Sequence, residues 1–151
     1  MISLKRTNSS NEDFINLVRH LDADLAIRDG ADHAFYSQYN GISMIKYAVV
    51  AYENGIPVGC GAIKMFDDLT MEVKRMYVSA EYRGKGVAVQ VLKELERWTL
   101  ELGCKRCILE TGINQPEALA LYKKSGFKRI PNYGQYANVQ SSFCFEKILE
   151  S

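Results

Sequence analysis

Glu72-Val-Lys-Arg-Met-Tyr-Val78 and, after four intervening residues, Arg83-Gly-Lys-Gly-Val-Ala88 stand near the middle of the chain, and their reading decides the fold. The first lies in a β-type run from Thr70 to Val78. The second opens the best amphipathic helix in the sequence, with Ala88, Val91, Leu92, Leu95, Trp98 and Leu102 on one stripe and Lys93, Glu94, Arg97 and Glu101 away from it. Gly103 ends that helix. A strand that enters a long helix through a glycine-containing turn begins a β-α-β unit. Within the strand, Val73 and Met76 lie an odd number of residues apart. The two-residue alternation therefore slips near Lys74-Arg75, which predicts a bulge.

Upstream, Lys46 to Glu53 is rich in Val and Tyr, Asn54-Gly55 is a two-residue hairpin turn, and Ile56 to Met65 returns as the partner strand. Asp67-Asp68 makes the next turn, into Thr70. Ile2 to Arg6 reads as a short strand. Ser9 and Glu12 have capping-box spacing before a helix carrying Phe14, Leu17, Val18, Leu21 and Leu25. Asp32 to Tyr39, bracketed by Gly30 and Gly41, reads as a second short helical piece. Downstream, Arg106 to Thr111 is a strand, and Asn114 with Glu117 begins a helix whose first turn holds Pro116. Gly126 stops it. Phe127 to Ile130 and Ser141 to Ile148 are the last strands, separated by the polar loop Asn132 to Asn138. The order β-α-α-β-β-β-α-β-α-β-β is an antiparallel meander passing into β-α-β units, hence a mixed three-layer α/β sheet.

Composition supports one domain over residues 1–151. The chain has 47% hydrophobic and 25% charged residues, a globular balance. Nineteen basic and eighteen acidic side chains leave a formal charge of +1, without the excess that drives nucleic-acid binding. The polar N-terminus lacks a secretory pattern, and the longest apolar run, Tyr47 to Tyr52, falls well short of the roughly 20 residues that span a bilayer. A cytoplasmic protein with no membrane partner is expected. Cys104-Lys-Arg-Cys107 has no second pair and no nearby histidine to complete a zinc site, so no metal is expected, and Cys60, Cys104, Cys107 and Cys144 read as reduced thiols.

Backbone N–H groups at a helix start are unpaired and partly positive, so the turn Arg83 to Ala88 can wrap a phosphate, with Arg83 and Lys85 adding charge. The same turn also reads as a flexible helix entry with two solvated cations. It matches neither a P-loop nor the dinucleotide fingerprint.

Taken with its surroundings, the sequence resembles the GNAT acetyltransferase superfamily. Arg83-Gly84-Lys85-Gly86-Val87-Ala88 matches the signature Arg/Gln-x-x-Gly-x-Gly/Ala and follows a strand of the expected kind. Asn114-Gln-Pro-Glu-Ala-Leu-Ala-Leu-Tyr122-Lys-Lys-Ser-Gly126-Phe127 looks like the family's second landmark, a helix carrying a tyrosine and ending in Gly-Phe. The first 40 residues match in element order alone. The resemblance implies the acyl-CoA N-acyltransferase fold: about seven mostly antiparallel strands, about four helices and splayed central strands.

It also implies a mechanism. The diphosphate of acetyl-CoA would sit on the amides of Arg83, Gly84, Lys85, Gly86, Val87 and Ala88, and its pantetheine arm would pair with the backbone of Met76, Tyr77 and Val78. A backbone N–H near Tyr77 would hold the oxyanion. Glu72, eleven positions before Arg83, corresponds to a general base, or else is a strand glutamate paired with Lys46 or Lys64. Tyr122 corresponds to the general acid, or else is a packed aromatic. Asn114 serves the pantetheine arm or caps its helix, and His33 is a base near the acceptor or simply exposed. Asp22, Asp24, Asp29, Asp32, Asp67 and Asp68 would give the acceptor side a negative field.

The activity implied is acetyl transfer from acetyl-CoA to a primary amine by direct transfer in a ternary complex. The rivals are a non-catalytic CoA or acyl-CoA sensor of the same fold and a nucleotide-binding domain. A homodimer through exposed edge strands fits such a sheet.

Overall fold

The computed structural model describes residues 1–29 and 45–150. Seven strands form one sheet: β1 (Ile2–Thr7), β2 (Tyr47–Glu53), β3 (Ile56–Asp67), β4 (Thr70–Val78), β5 (Arg106–Gly112), β6 (Lys128–Ile130) and β7 (Ser142–Ile148). They lie in the order β1-β2-β3-β4-β5-β7-β6, and the pair β4–β5 is parallel while the others are antiparallel. Three helices are described: α1 (Glu12–Asp29), α2 (Val87–Glu101) and α3 (Pro116–Lys124). The short helical piece expected at Asp32 to Tyr39, and His33 with it, lies outside the described residues. None of the described helices is long and apolar enough to cross a membrane.

Alternation along β2 sorts the sheet into two faces. Tyr47, Val49 and Ala51 pack into the cluster that holds Val91, Leu92 and Leu95 of α2, whereas Ala48, Val50 and Tyr52 pack with Phe14, Leu17 and Val18 of α1. The result is three layers, with α1 on one side and α2 on the other. The edge strand β1 is tied to α2 by Arg6, whose Nε donates to Glu94 Oε2 at 2.7 Å and whose terminal nitrogens donate to Glu101 at 2.7 and 2.8 Å.

The hairpin at Asn54-Gly55 has φ of 52° and 79° at its central residues, as a primed turn requires. The next hairpin turns one residue later than expected, at Asp68-Leu69, because Asp67 still belongs to β3. The first helix is capped by Asn11, whose Oδ1 accepts from the Phe14 N–H at 2.9 Å, not through the spacing of Ser9 and Glu12. The residue flanking α3 is Gln115, and Asn114 lies one position before it in the preceding turn. All four cysteines are free and buried, which makes them core thiols.

Helix α2 approaches β3 closely because that strand presents Gly59 and Gly61 to it. A Cβ at Gly61 would stand 2.5 Å from Met76 Sδ and 2.9 Å from both Leu95 Cδ1 and Val91 Cγ1. Gly61→Ala is therefore expected to destabilise the protein by about 1–3 kcal/mol through overpacking. Denaturant unfolding checks it: the midpoint falls at an unchanged slope.

Candidate active site

Strands β4 and β5 pair at Thr70↔Arg106, Met71↔Cys107 and Glu72↔Ile108. Beyond these pairs they part. β4 continues against β3 to Val78, and β5 continues against β7 to Gly112. The bulge read near Lys74-Arg75 is present: Ala62↔Lys74 is followed by Cys60↔Tyr77, so β4 holds one extra residue, and Arg75 has a φ of 61°. The extra residue bends β4 where its pairing with β5 stops.

The gap opens into a cavity of about 560 Å³. Its wall includes Glu72, Met76, Tyr77 and Val78 of β4, Tyr122 of α3, and Arg83, Gly84, Gly86, Val87 and Ala88 at the mouth of α2. Lys85 and Asn114 stand outside that wall; the Lys85 ammonium lies 5.4 Å from the centre of the Tyr82 ring, and Asn114 is exposed. Gly86 precedes the first turn of α2 with a φ of 83°, a conformation that suits glycine. A Cβ on Gly84 or Gly86 would meet nothing within 4 Å, so the space beside this turn is open, while the Arg83 N–H donates to the Ala80 carbonyl at 3.4 Å. Arg83 is half committed: its Nε donates to the Val78 carbonyl at 2.8 Å and it pairs with Asp24 at 3.2 Å.

Glu72 is buried, at 8% exposure. The Tyr133 hydroxyl donates to its Oε2 at 2.7 Å, and Lys74 Nζ stands 3.7 Å from its Oε1. Its ion-pair partner is thus Lys74, while Lys64 stands opposite it in the strand register. Tyr133 comes from the loop between β6 and β7, and its own hydroxyl is pushed well above the phenol range by burial, reinforced by the Glu72 carboxylate. The register pairs Lys64↔Glu72, Ala62↔Lys74 and Cys60↔Tyr77 place Glu72, Lys74 and Tyr77 on the face that carries α1, because Cys60 and Ala62 pack into the α1 cluster.

Tyr122 belongs to the opposite face, packed in the α2 cluster edge-to-face with Phe127 at 5.7 Å and tilted against Phe145 at 6.4 Å. It is a packed aromatic and a wall residue at once. Burial, with the Glu110 carboxylate adding, holds its hydroxyl well above the usual phenol value. The splay is therefore a window through the sheet, with a carboxylate on one side and a phenol on the other.

Of the aspartates expected to give the acceptor side a negative field, the two described beside the cavity are ion-paired. Asp22 is bonded to Arg75 and Asp24 to Arg83, while Asp67 and Asp68 sit at the β3–β4 turn, away from this cavity. Asp32 lies outside the described residues. Sequence reasoning missed Tyr133, Arg75, Glu110 and Gln115, of which the last three also line the cavity. The signals that existed were the tyrosines of the Asn132 to Asn138 loop and the parity slip at Arg75.

Comparison with known proteins agrees with this geometry. An IAA acetyltransferase of Azospirillum brasilense is 36% identical over 102 residues, which is 67% of each chain. A solved structure from Klebsiella pneumoniae subsp. pneumoniae, carrying an acyl-CoA N-acyltransferase name, superposes with a TM-score of 0.84 at 27% identity over 99% of both chains. The PaiA N-acetyltransferase of Thermoplasma acidophilum, solved in complex with coenzyme A, shares the fold with a TM-score of 0.71 at 19% identity over 98% of this chain and 99% of that one. Residues 15–127 match the model of the acetyltransferase (GNAT) family, and the chain belongs to that family.

Proposed function

We propose that this protein transfers an acetyl group from acetyl-CoA directly to a primary amine within a ternary complex. The observation that carries this reading is the parting of β4 and β5 beyond Glu72↔Ile108, which brings a carboxylate, a phenol and a glycine turn into one cavity. The residues fit the co-substrate. The turn before α2 has open space beside Gly84 and Gly86 for a diphosphate, although the Arg83 N–H is bonded to Ala80, and β4 beyond the bulge has no strand beside it on the β5 side among the described residues, leaving main chain for a pantetheine arm apart from the Val78 carbonyl that Arg83 Nε occupies. Structural neighbours with acetyl-CoA or coenzyme A bound, from Elizabethkingia anophelis and Thermoplasma acidophilum, support the choice of ligand.

The chemistry follows from protons. An alkylammonium has a reference pKa of about 10.4 and must lose a proton before its nitrogen attacks a thioester. Glu72 takes that proton, directly or through a water, with Tyr133 fixing one carboxylate oxygen. A backbone N–H near Tyr77 stabilises the oxyanion of the tetrahedral intermediate. Tyr122 gives its proton to the departing thiolate, and the second proton that the nitrogen sheds as the intermediate collapses to the amide restores the phenol. Lys85 contributes charge near the diphosphate from outside the cavity wall, and Asn114 is left with no contact to the pantetheine arm in this scheme.

Incubation with acetyl-CoA and a panel of primary amines, followed by titration of free coenzyme A thiol, tests the reading. Amine-dependent thiol release is the expected result. Coenzyme A binding by calorimetry without thiol release from any amine would leave a sensor of the same fold, and no binding at all would remove the co-substrate.

A further inference from the structure

Arg75 takes no part in the transfer just described, yet β4 is bent around it. Its φ of 61° is rare for a long side chain. The side chain is 1% exposed and reaches Asp22 of α1 through one terminal nitrogen, which puts the guanidinium on the same face of the sheet as Glu72. Its Nε is buried with no hydrogen-bond partner among the described residues. Buried guanidinium donors are ordinarily satisfied, so a buried Nε–H without a partner among the described residues, on a residue that borders a cavity, points to a ligand acceptor. Arg75 is part of that wall, together with Leu21 and Leu25 of α1 and with Tyr77.

Two features of this face therefore call for opposite ends of one molecule. Glu72 suits an ammonium, and three positions along the bulged strand an arginine holds an N–H with no partner among the described residues. We propose that the acceptor is an amine that also carries a carboxylate, an amino acid or a compound of that class, and that the Arg75 Nε–H donates to this carboxylate while the amine lies at Glu72. The inference rests on the N-acetyltransferase reading above. Lys74 adds positive charge on the same face, and Asp24, the nearby acid on α1, is paired with Arg83. Asp22 is half exposed, so it balances the guanidinium charge without enclosing it. Leu21 and Leu25 give the same cavity an apolar wall that suits a hydrocarbon substituent.

Matched acceptors test the proposal: L-phenylalanine against phenethylamine and L-leucine against isoamylamine, each with acetyl-CoA and thiol release as the readout. The carboxylate-bearing member of each pair is expected to have a kcat/KM roughly 10- to 100-fold higher, the range for a hydrogen bond to a charged group. Arg75→Lys puts a methylene where Nε stands and an ammonium near Asp22, so it removes the donor and keeps the charge. In that variant the preference should fall to about twofold or less, with the coenzyme A dissociation constant unchanged. Asp22→Asn, at a half-exposed position, frees the guanidinium charge and should lower KM for the carboxylate-bearing acceptors alone; it serves if Arg75→Lys fails to fold. Equal rates within each pair, or a preference that survives Arg75→Lys and ignores Asp22→Asn, would overturn the assignment and leave acetyl transfer standing. Thiol release from neither class overturns the transfer reading, and this inference with it.

Discussion

Tyr122→Phe is expected to lower kcat about 10²- to 10⁴-fold while the dissociation constant for coenzyme A moves by less than about twofold. Phenylalanine keeps the ring packed against Phe127 and Phe145, so the hydroxyl is the part of the residue that the variant loses. Burial pushes that hydroxyl up, and a raised phenol stays protonated throughout the neutral range. The acid form is therefore always present, and the wild-type profile should show no alkaline loss from Tyr122 below about pH 10, the reference value for a phenol. In water a phenol is a weaker acid than a thiol, whose reference pKa is about 8.5, so proton transfer to a thiolate would run uphill. Inside the cavity the same desolvation raises the proton affinity of the departing sulfur, which narrows that gap. Steady-state rates beside calorimetric coenzyme A titrations decide the matter. Equal weakening of turnover and binding, or no change in either, would assign Tyr122 to packing alone.

The parts of this molecule that were legible in the sequence are those written in local spacing. The parity slip between Val73 and Met76 is a property of seven consecutive residues, and it located the bulge to within the pair Lys74-Arg75. Asn54-Gly55 and the turn before α2 were legible for the same reason, since positive φ is demanded of the residues themselves. Glu72 and Tyr122 were identified by resemblance, and the structure brings both to one cavity. What stayed hidden depends on contacts between distant segments. Tyr133 meets Glu72 across 61 positions and Asp22 meets Arg75 across 53, and no periodicity links a surface loop to a strand or one helix face to a bulge. The same distance effect bears on the expected field of aspartates, because Asp22 and Asp24 are acidic in composition but paired in place with Arg75 and Arg83. Capping of the first helix was misplaced by two residues, at Asn11, which is the scale on which several polar residues in a row compete for one helix start.

Glu72→Gln is expected to lower kcat/KM about 10²- to 10⁴-fold at neutral pH, and the deficit should shrink as pH rises. The side-chain amide oxygen can still accept from Tyr133, so the loop and the strand stay joined while the proton acceptor is gone. Without a base, turnover draws on acceptor that is already deprotonated in solution. For an amine of pKa about 10.4 that fraction is on the order of 1 in 2,500 at pH 7 and about one tenth at pH 9.4. The variant's log kcat/KM should therefore climb with a slope near one over that interval, while the wild type, which removes the proton on the protein, levels off earlier. Lys74 loses the charge beside it in this variant, so a melting curve must accompany the kinetics to separate a stability loss from a chemical one. A variant profile that runs parallel to the wild type at every pH would reduce Glu72 to a strand residue holding Lys74 and Tyr133 in place. Recovery at high pH, with coenzyme A affinity intact, would instead place the missing step at the amine proton, on the α1 side of the sheet where the carboxylate stands.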